Sequence, residues 1–181
     1  MFVNNLKFKL HRFRSIGKHY DIGRNVSVLN SEYISLGDYF CVGNNCLIQA
    51  WPAYRNKATG FKPDLTIGNN VSMMSNCLIS CVNKVTIGDG CLLGDNVFIT
   101  DNYHGNGTES QRNIIPIERP LFSKGPVSIG KNVWIGRNVC IMPGVMIGDC
   151  SIIGANSVVT KDVSSNTMVA GCPAKEIKII N

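Results

Sequence analysis

The segment ITDNYH, residues 99–104, ends in the side chain of this chain best suited to acid–base chemistry, His104. An imidazole takes up and returns a proton near neutral pH, which is what a general base requires. Asp101 stands close enough along the chain to orient such a ring and to favour its charged form, although a solvent-facing Asp101 is an open alternative. The segment therefore predicts a catalytic centre at His104, with Asn102 and Tyr103 as neighbouring candidates for acceptor contact.

A repeat of six residues sets the position of this segment. Aliphatic residues recur at a spacing of six within six groups of three, and all the irregular spacing falls between groups. This period is typical of a hexapeptide-repeat parallel β-helix, with one short strand per hexad and three strands per coil. The sequence therefore predicts an all-β fold of about six three-hexad coils. The eighteen positions are Ile16, Ile22, Val28, Leu36, Val42, Ile48, Ile67, Met73, Ile79, Ile87, Leu93, Ile99, Ile129, Ile135, Ile141, Ile147, Ile153 and Val159.

The residues between these positions distinguish the three sides of a coil. In the first two hexads of each group, Gly follows the aliphatic residue at eleven of twelve places, whereas in the third hexad it never does. Glycine tolerates backbone conformations that other residues resist, so two sides share one local geometry and the third differs. Small or β-branched residues stand four positions after most aliphatic residues, and we expect them to fill a narrow interior.

The eight cysteines are predicted to be free thiols. Cys46, Cys77 and Cys91 occupy the small interior positions, and the chain has no Cys-x-x-Cys pair. No secretory signal peptide or membrane-spanning stretch is visible, so we expect a cytoplasmic protein in which buried cysteines act as small apolar residues. The three histidines lie far apart in the sequence, and no metal site is predicted.

Interruptions of the repeat predict where function lies. All four follow the third hexad of a group, so they must stack along one edge of the coil. The two longer interruptions give loops at residues 49–66 and 105–126. A loop as long as 105–126 without regular structure is usually functional or disordered. We expect a cap segment at 1–15, the β-helix domain at 16–165 and a C-terminal tail at 166–181.

Aromatic and basic side chains share the shorter insertion. Such a combination stacks on sugars and holds anionic ligands. It equally serves to bury a loop against neighbouring coils, and the sequence leaves both roles open. The residues are Trp51, Tyr54 and Phe61 with Arg55, Lys57 and Lys62, of which Trp51 is a candidate for acceptor contact.

The formal charge of +6 fits an enzyme that binds a polyanionic ligand. Nucleic-acid binding is not predicted, because the basic residues are scattered and no supporting motif is present. They are denser in the N-terminal stretch MFVNNLKFKLHRFR, residues 1–14. This stretch either caps the open end of the solenoid, which we favour, or makes peripheral contact with a membrane surface.

The C-terminal half resembles a known family. Residues 123–178 read SKGPVSIGKNVWIGRNVCIMPGVMIGDCSIIGANSVVTKDVSSNTMVAGCPAKEIK. They closely resemble the hexapeptide-repeat O-acetyltransferases, left-handed β-helix enzymes that use acetyl-CoA. With ITDNYHG before the long loop and RPLFSKG within it, the chain is most similar to the branch that acetylates sugars of capsular, colanic-acid-like or O-antigen polysaccharides. The resemblance covers about residues 16–178.

This resemblance implies a left-handed coil, a homotrimer with active sites between subunits, and no required metal. It implies that His104 is the general base and that a backbone N–H near Gly136 is a candidate oxyanion donor. Arg137 replaces a small polar residue of the galactoside enzymes, so its contact with CoA is an open point. The implied acetyl-CoA-binding residues are Trp134, Gly136, Arg137, Ala155, Thr160, Lys161, Lys175 and Lys178.

The residues expected at the acceptor site differ from those of the galactoside enzymes. Met74 and Cys81 stand where those enzymes place polar acceptor ligands, and Asn76 remains a polar candidate beside them. We therefore expect an O-acetyltransferase that acts on a sugar hydroxyl in capsule or O-antigen biosynthesis. Alternatives are a streptogramin-like antibiotic O-acetyltransferase and a β-helix scaffold that has lost catalysis.

Overall fold

The computed structural model describes Phe8 and residues 11–180, whose regular structure is almost entirely strand. Three short 3₁₀ helices lie at Ser31–Tyr33 (η1), Glu109–Gln111 (η2) and Pro116–Glu118 (η3). In chain order, the strands are β1 (Ser15–Ile16), β2 (Asp21–Ile22), β3 (Ser27–Leu29), β4 (Ile34–Leu36), β5 (Cys41–Val42), β6 (Leu47–Ala50), β7 (Ala53–Tyr54), β8 (Lys57–Ala58), β9 (Asp64–Ile67), β10 (Ser72–Met73), β11 (Leu78–Cys81), β12 (Lys84–Ile87), β13 (Leu92–Leu93), β14 (Phe98–Thr100), β15 (Tyr103–His104), β16 (Leu121–Phe122), β17 (Val127–Ile129), β18 (Trp134–Ile135), β19 (Cys140–Ile141), β20 (Met146–Ile147), β21 (Ile152–Ile153), β22 (Val158–Val159), β23 (Thr167–Gly171) and β24 (Ala174–Ile179).

Three sheets form the sides of a triangular coil. From end to end they are β1-β4-β9-β12-β17-β20 (sheet A), β2-β5-β10-β13-β18-β21-β23-β24 (sheet B) and β3-β6-β11-β14-β19-β22 (sheet C). Successive strands of the coils fall on sheets A, B and C in turn, and only β24 pairs antiparallel within them. The parallel β-helix predicted from the period of six is therefore confirmed.

The predicted aliphatic positions pair with one another from coil to coil. Ile67 pairs with Ile87 and Ile87 with Ile129 on sheet A, and Ile79 pairs with Ile99 on sheet C. Sixteen of the eighteen side chains are buried, and each such burial contributes about 1.5–3 kcal/mol of transfer free energy. The core is thus one continuous column along the coil axis.

The first coil is the exception to this burial. Ile16 is 38% exposed and Val28 is half-buried, because β1 and β3 are the end strands of sheets A and C. Phe8 is buried there, with its ring centroid 4.9 Å from that of Phe13 and 6.0 Å from that of Tyr20. The rest of the predicted cap, and with it the membrane alternative for residues 1–14, falls largely outside the described residues.

The interior cysteines link one coil to the next. The thiols of Cys46, Cys77 and Cys91 donate to the carbonyl oxygens of Met74, Gly94 and Gly130 at 3.1, 3.1 and 3.0 Å. All eight cysteines are free, and Cys150 and Cys172 are exposed. The small interior positions therefore hold thiols that also bond to the backbone.

The segment 166–181, predicted as a C-terminal tail, contains two further strands. β23 extends sheet B beyond β21, with Val169 paired to Ile153, and β24 folds back along it. Val163 forms an isolated parallel bridge with Ile147 on sheet A. Val163 and Val169 are six residues apart and form a partial seventh coil, but Val163 follows Val159 by only four residues, so this coil is out of phase with the predicted positions.

All four interruptions of the repeat lie where sheet C gives way to sheet A, which we call the C–A edge. They stack there through hydrogen bonds to backbone carbonyls: the Asn30 side-chain Nδ2 donates to the Ala50 carbonyl at 2.7 Å, and the Trp51 backbone N–H donates to the Cys81 carbonyl at 2.8 Å. The shorter loop runs over 51–63, within the predicted 49–66, because β6 continues to Ala50 and β9 begins at Asp64. It contains the β7–β8 hairpin.

Candidate active site

His104 lies on a two-stranded ribbon at the C–A edge. β15 pairs antiparallel with β16, and His104 stands directly opposite Leu121. Directly opposed residues of such a pair lie on the same face, so His104 and Leu121 share one face while Tyr103 and Phe122 share the other. The imidazole is exposed and therefore open to a substrate.

Gly105 sets the turn that follows His104. Its φ is +89°, a left-handed conformation that favours glycine, and its N–H donates to the Pro120 carbonyl at 2.9 Å. A Cβ at this position would lie 2.9 Å from Cδ of Arg119. The His-Gly pair is therefore needed to bring the long loop back alongside the histidine.

Tyr54, on the β7–β8 hairpin, contacts the catalytic candidate. Its ring lies edge-on to that of His104, with centroids 5.3 Å apart and an interplanar angle of 64°. Trp51 lies edge-on to Tyr54 in turn, at 6.2 Å. The structure thus brings Trp51 close to the site but behind Tyr54, and it makes Tyr54 the aromatic neighbour of the imidazole.

A cleft of about 220 Å³ separates the hairpin from the long loop. An ion pair joins the hairpin to the long loop at the cleft: Arg55 Nη2 lies 2.6 Å from Glu118 Oε1. Arg119 is held by its Nε, which donates to the Ile114 carbonyl at 2.8 Å. The lining residues come from both insertions and are Tyr54, Arg55, Lys57, Ala58, Thr59, Glu118, Arg119, Pro120 and Leu121.

Asp101 does not contact His104; it holds the coil together. Its side chain is fully buried, and its two carboxylate oxygens accept the N–H groups of Val82 and Asn83 at 2.8 Å each. Burial raises the pKa of the adjacent Cys81 thiol, and the Asp101 carboxylate raises it further. The expected orienting role of Asp101 is therefore corrected: the carboxylate points into the stack of the C–A edge rather than towards the ribbon.

The other acceptor candidates have structural partners. The Asn102 amide donates to Ser80 Oγ at 3.1 Å and to Asp101 Oδ1 at 3.1 Å, which holds it against the coil. Asn76 adopts a φ of +60° and accepts from Asn45 Nδ2 at 3.2 Å, in a ladder of turn asparagines between sheets B and C. Tyr103 lies on the ribbon face opposite His104. Within the described chain, none of the three lines the cleft.

The expected acetyl-CoA-binding residues begin on sheet B. Trp134 pairs with Ile152 and is 53% exposed, so it presents an aromatic face to solvent. Gly136 packs under the next coil, where a Cβ would lie 2.7 Å from the Ala155 nitrogen. Its N–H already donates to the Ile153 carbonyl at 2.8 Å, so Gly136 itself is not an oxyanion donor.

The neighbouring N–H of Arg137 is placed differently. At this corner a ladder runs from coil to coil, in which Arg24 N–H donates to Asn44 Oδ1 at 2.7 Å and Ser75 N–H to Asp95 Oδ1 at 3.2 Å. The next positions in the ladder are Arg137 and Ala155, whose side chains carry no acceptor atom. The ladder stops there, which leaves the Arg137 N–H without a side-chain acceptor from the following coil.

A second group of expected residues gathers at the C-terminal end of the coil. Thr160, Lys161 and Lys175 line one cleft of about 310 Å³, between the last coil and the β23–β24 pair. Lys178 is exposed on β24, where it pairs with Met168, and does not line this cleft. Two lysines at a cleft suit phosphate groups.

The structure does not bring His104 and Trp134 together within one chain. His104 lies at the C–A edge, whereas Trp134 lies on sheet B. In a three-sided coil, sheet B is the side opposite the edge where sheets C and A meet. A single chain therefore carries the two halves of the expected site on opposite sides.

In the part of the chain that the structure describes, no group of three or more His, Cys, Asp and Glu side chains is placed to hold a metal ion. Among the same residues, no helix has the length and apolar character needed to cross a membrane.

The chain is similar to a known family, to a curated protein and to solved structures. Residues 126–161 match the model of the bacterial transferase hexapeptide (six repeats). A protein of Escherichia coli K-12 named for O-acetyl transfer in lipopolysaccharide biosynthesis, WbbJ, is 38% identical over 159 residues, covering 76% of this chain and 81% of that protein. A galactoside acetyltransferase in complex with coenzyme A aligns with a TM-score of 0.63 and 30% identity, over 93% of this chain and 66% of that one. AntD, an N-acyltransferase from Bacillus cereus solved with coenzyme A and dTDP-4-amino-4,6-dideoxyglucose, aligns at 0.77 with 19% identity, over 98% and 89%.

The repeating coil, the match to the hexapeptide model and the 30%-identical galactoside acetyltransferase define a class, the left-handed β-helix acetyltransferases. Within that class, the chain belongs to the hexapeptide-repeat acetyltransferase family. It is therefore a transferase, and the resemblance stated from residues 123–178 is confirmed.

Proposed function

We propose that this protein transfers an acetyl group from acetyl-CoA to a sugar hydroxyl, with His104 as the general base. The observation that carries the proposal is the exposed imidazole of His104, whose ring centroid lies 5.3 Å from that of Tyr54, a residue that lines the cleft. A base must reach the proton that it removes, and an exposed imidazole is open to an approaching hydroxyl.

The reaction follows from these groups. His104 takes the proton of the acceptor hydroxyl as its oxygen forms a bond to the thioester carbonyl carbon. The carbon–sulfur bond then breaks, and His104 returns the proton to the leaving thiolate. The open N–H of Arg137 is the oxyanion donor that we favour, because Gly136 is bonded within the coil. Base assistance contributes about 10²–10⁴-fold, and the rest comes from positioning and oxyanion stabilisation.

The residues present fit acetyl-CoA as the acetyl donor. Trp134 offers an exposed aromatic face on sheet B. Lys161 and Lys175 offer cations for the nucleotide phosphates at the C-terminal cleft, which Asp162 and Glu176 also line. Coenzyme A is bound in the structure of the galactoside acetyltransferase that this chain resembles, which supports the same donor here.

The active form that we propose is a homotrimer with each site between two subunits. Because His104 and Trp134 lie on opposite sides of one coil, they can meet only when the C–A edge of one subunit faces sheet B of the next. A contact of this kind joins two different surfaces, and it closes into a ring when the rotation allows. In a ring of three copies, the C–A edge of each subunit faces sheet B of the next.

The acceptor that we propose belongs to capsule or O-antigen biosynthesis in the cytoplasm. The similarity to WbbJ, which is named for lipopolysaccharide biosynthesis, extends over most of both chains and supports the pathway. The eight free thiols support a reducing compartment.

The test is acetyl transfer followed by mass spectrometry on a panel of sugars, because a thiol-colour assay would also report the cysteines. His104→Ala should lower kcat by about 10²–10⁴-fold. His19→Ala is the matched control, since His19 is also exposed but stacks on Tyr39 far from the ribbon. Full activity of His104→Ala would remove it as the base.

Two other outcomes would identify the alternatives. Transfer to streptogramin hydroxyls but to no sugar would indicate an antibiotic acetyltransferase. Failure of the wild-type protein to bind acetyl-CoA in calorimetry would indicate a scaffold without catalysis.

A further inference from the structure

We propose that the cleft beside His104 is the acceptor subsite and that it selects a sugar bearing an anionic group, a phosphate or a carboxylate. This rests on the proposed function, because it names the class of acceptor on which that function acts.

The position of the cleft makes it the way in for an acceptor. Tyr54 both contacts the His104 ring and lines the cleft, and Leu121 both lines the cleft and lies directly opposite His104 on the ribbon. His104 itself does not line the cleft, so Tyr54 and Leu121 are the residues that connect the two. A hydroxyl of a bound acceptor that extends past Tyr54 would reach the base.

The size of the cleft limits what it holds. Its volume of about 220 Å³ falls below the ~300–1,000 Å³ of pockets for drug-sized ligands. One sugar ring fits this space, and the rest of a larger glycan would extend into solvent. Tyr54 offers the ring an aromatic surface and a hydroxyl at one wall.

The charge of the cleft selects among sugars. Arg55, Lys57 and Arg119 line it against a single carboxylate, that of Glu118. The Arg55–Glu118 pair neutralises itself and ties the hairpin to the long loop. Arg119 uses Nε on a carbonyl, which keeps its charge, and no ion pair among the described residues engages Lys57.

A purely structural insertion does not account for these two cations. The Arg55–Glu118 pair alone suffices to join the insertions, and Arg119 and Lys57 place further positive charge around the same small space. Glu118 is paired with Arg55 and is the one carboxylate that lines the cleft, so the charges of Lys57 and Arg119 repel each other and a bound anion relieves that repulsion. The arrangement points to an anionic group on the acceptor.

Binding and transfer are measured separately. The probes are glucose, galactose and mannose, each as the 1-phosphate, the uronic acid and the neutral methyl glycoside. Saturation-transfer NMR gives the affinity of each probe for the full-length protein without acetyl-CoA. Mass spectrometry gives kcat/KM for its acetylation. We expect the anionic probes to bind more tightly than the matched glycoside, and the advantage to shrink as salt increases.

Lys57→Glu and Lys62→Glu form the matched pair of variants. Both lysines are exposed in the same insertion, but Lys62 does not line the cleft. One charge about 4 Å from an anion in a water-like medium changes affinity about fivefold, and charge reversal at Lys57 should lower it about twenty-five-fold. The affinity for neutral glycosides and the KM for acetyl-CoA should stay unchanged in both variants.

Each outcome decides the proposal. Equal binding of anionic and neutral probes, or equal effects of Lys57→Glu and Lys62→Glu, would overturn it. A larger advantage for the phosphates or for the uronic acids shows which anion the cleft takes. If no probe is acetylated although the anionic ones bind through Lys57, the proposed function fails while the anion subsite stands; acetylation without anion preference gives the reverse.

Discussion

Mixing two inactive variants should restore activity if each active site is shared between subunits. His104→Ala removes the proposed base at the C–A edge, and Trp134→Asp places a charge on the donor face of sheet B. Both side chains are exposed, so neither change disturbs the core. In the proposed trimer, every site of either variant alone should lack one half.

The expected recovery follows from the ring. In a mixed trimer, one interface joins an intact His104 to an intact Trp134, and the others lack at least one of them. About one third of the sites in every mixed trimer should therefore work. Random association from equal amounts should give about one quarter of wild-type activity, because each site draws its two halves independently.

Two affinity tags allow mixed trimers to be isolated after co-expression, and native mass spectrometry counts their subunits. Acetylation by these trimers is compared with that of each parent. His19→Ala mixed with Trp134→Asp is the control, for which about half of the sites should work. Mixed trimers as inactive as the parents, or a monomer by mass, would refute a site divided between opposite sides of the coil.

Three further outcomes test the site and its support. Asp101→Ala should lower the free energy of unfolding by about 2–5 kcal/mol, because two buried backbone N–H groups lose their carboxylate acceptor. Urea unfolding measures this change, and a loss below about 1 kcal/mol, roughly the net value of one hydrogen bond, would contradict the structural role. Tyr54→Ala should lower kcat in the acetylation assay about tenfold, whereas Tyr54→Phe, which keeps the ring beside His104, should retain it. Cys150 and Cys172 should react with iodoacetamide well before the four buried cysteines, as read by peptide mass mapping, because the packed coil keeps the reagent from the buried thiols and burial also raises the pKa of the Cys91 thiol. Simultaneous labelling would mean an open coil.

Most of the fold could be predicted from the sequence, because each hexad carries its own part of the repeat. Each hexad supplies one aliphatic residue to one side, and a constant spacing keeps Ile79, Ile99 and Ile141 in register. The same register assigned every interruption to one edge before any contact was known. Val163 and Val169 form a partial seventh coil that the period does not predict, because Val163 follows Val159 by only four residues.

The surroundings of His104 were less open to prediction. Asp101 is near in sequence and was expected to orient the ring, yet strand geometry turns its carboxylate towards Val82 and Asn83. Tyr54 lies in a different insertion, and only the stacking of the two loops along the edge brings it to the imidazole. Loop-to-loop contacts of this kind follow no period.

The sequence by itself determined the coil, its register and the edge at which the repeat breaks, since each depends only on which residue recurs every six positions. Tertiary structure alone decided how the two insertions fold over that edge, where the cleft opens between Arg55 and Arg119, and that His104 and Trp134 lie on opposite sides. The physical reason is that a hexad fixes the direction of its own side chain. The conformation of a long loop depends instead on partners that the repeat places one or more coils away.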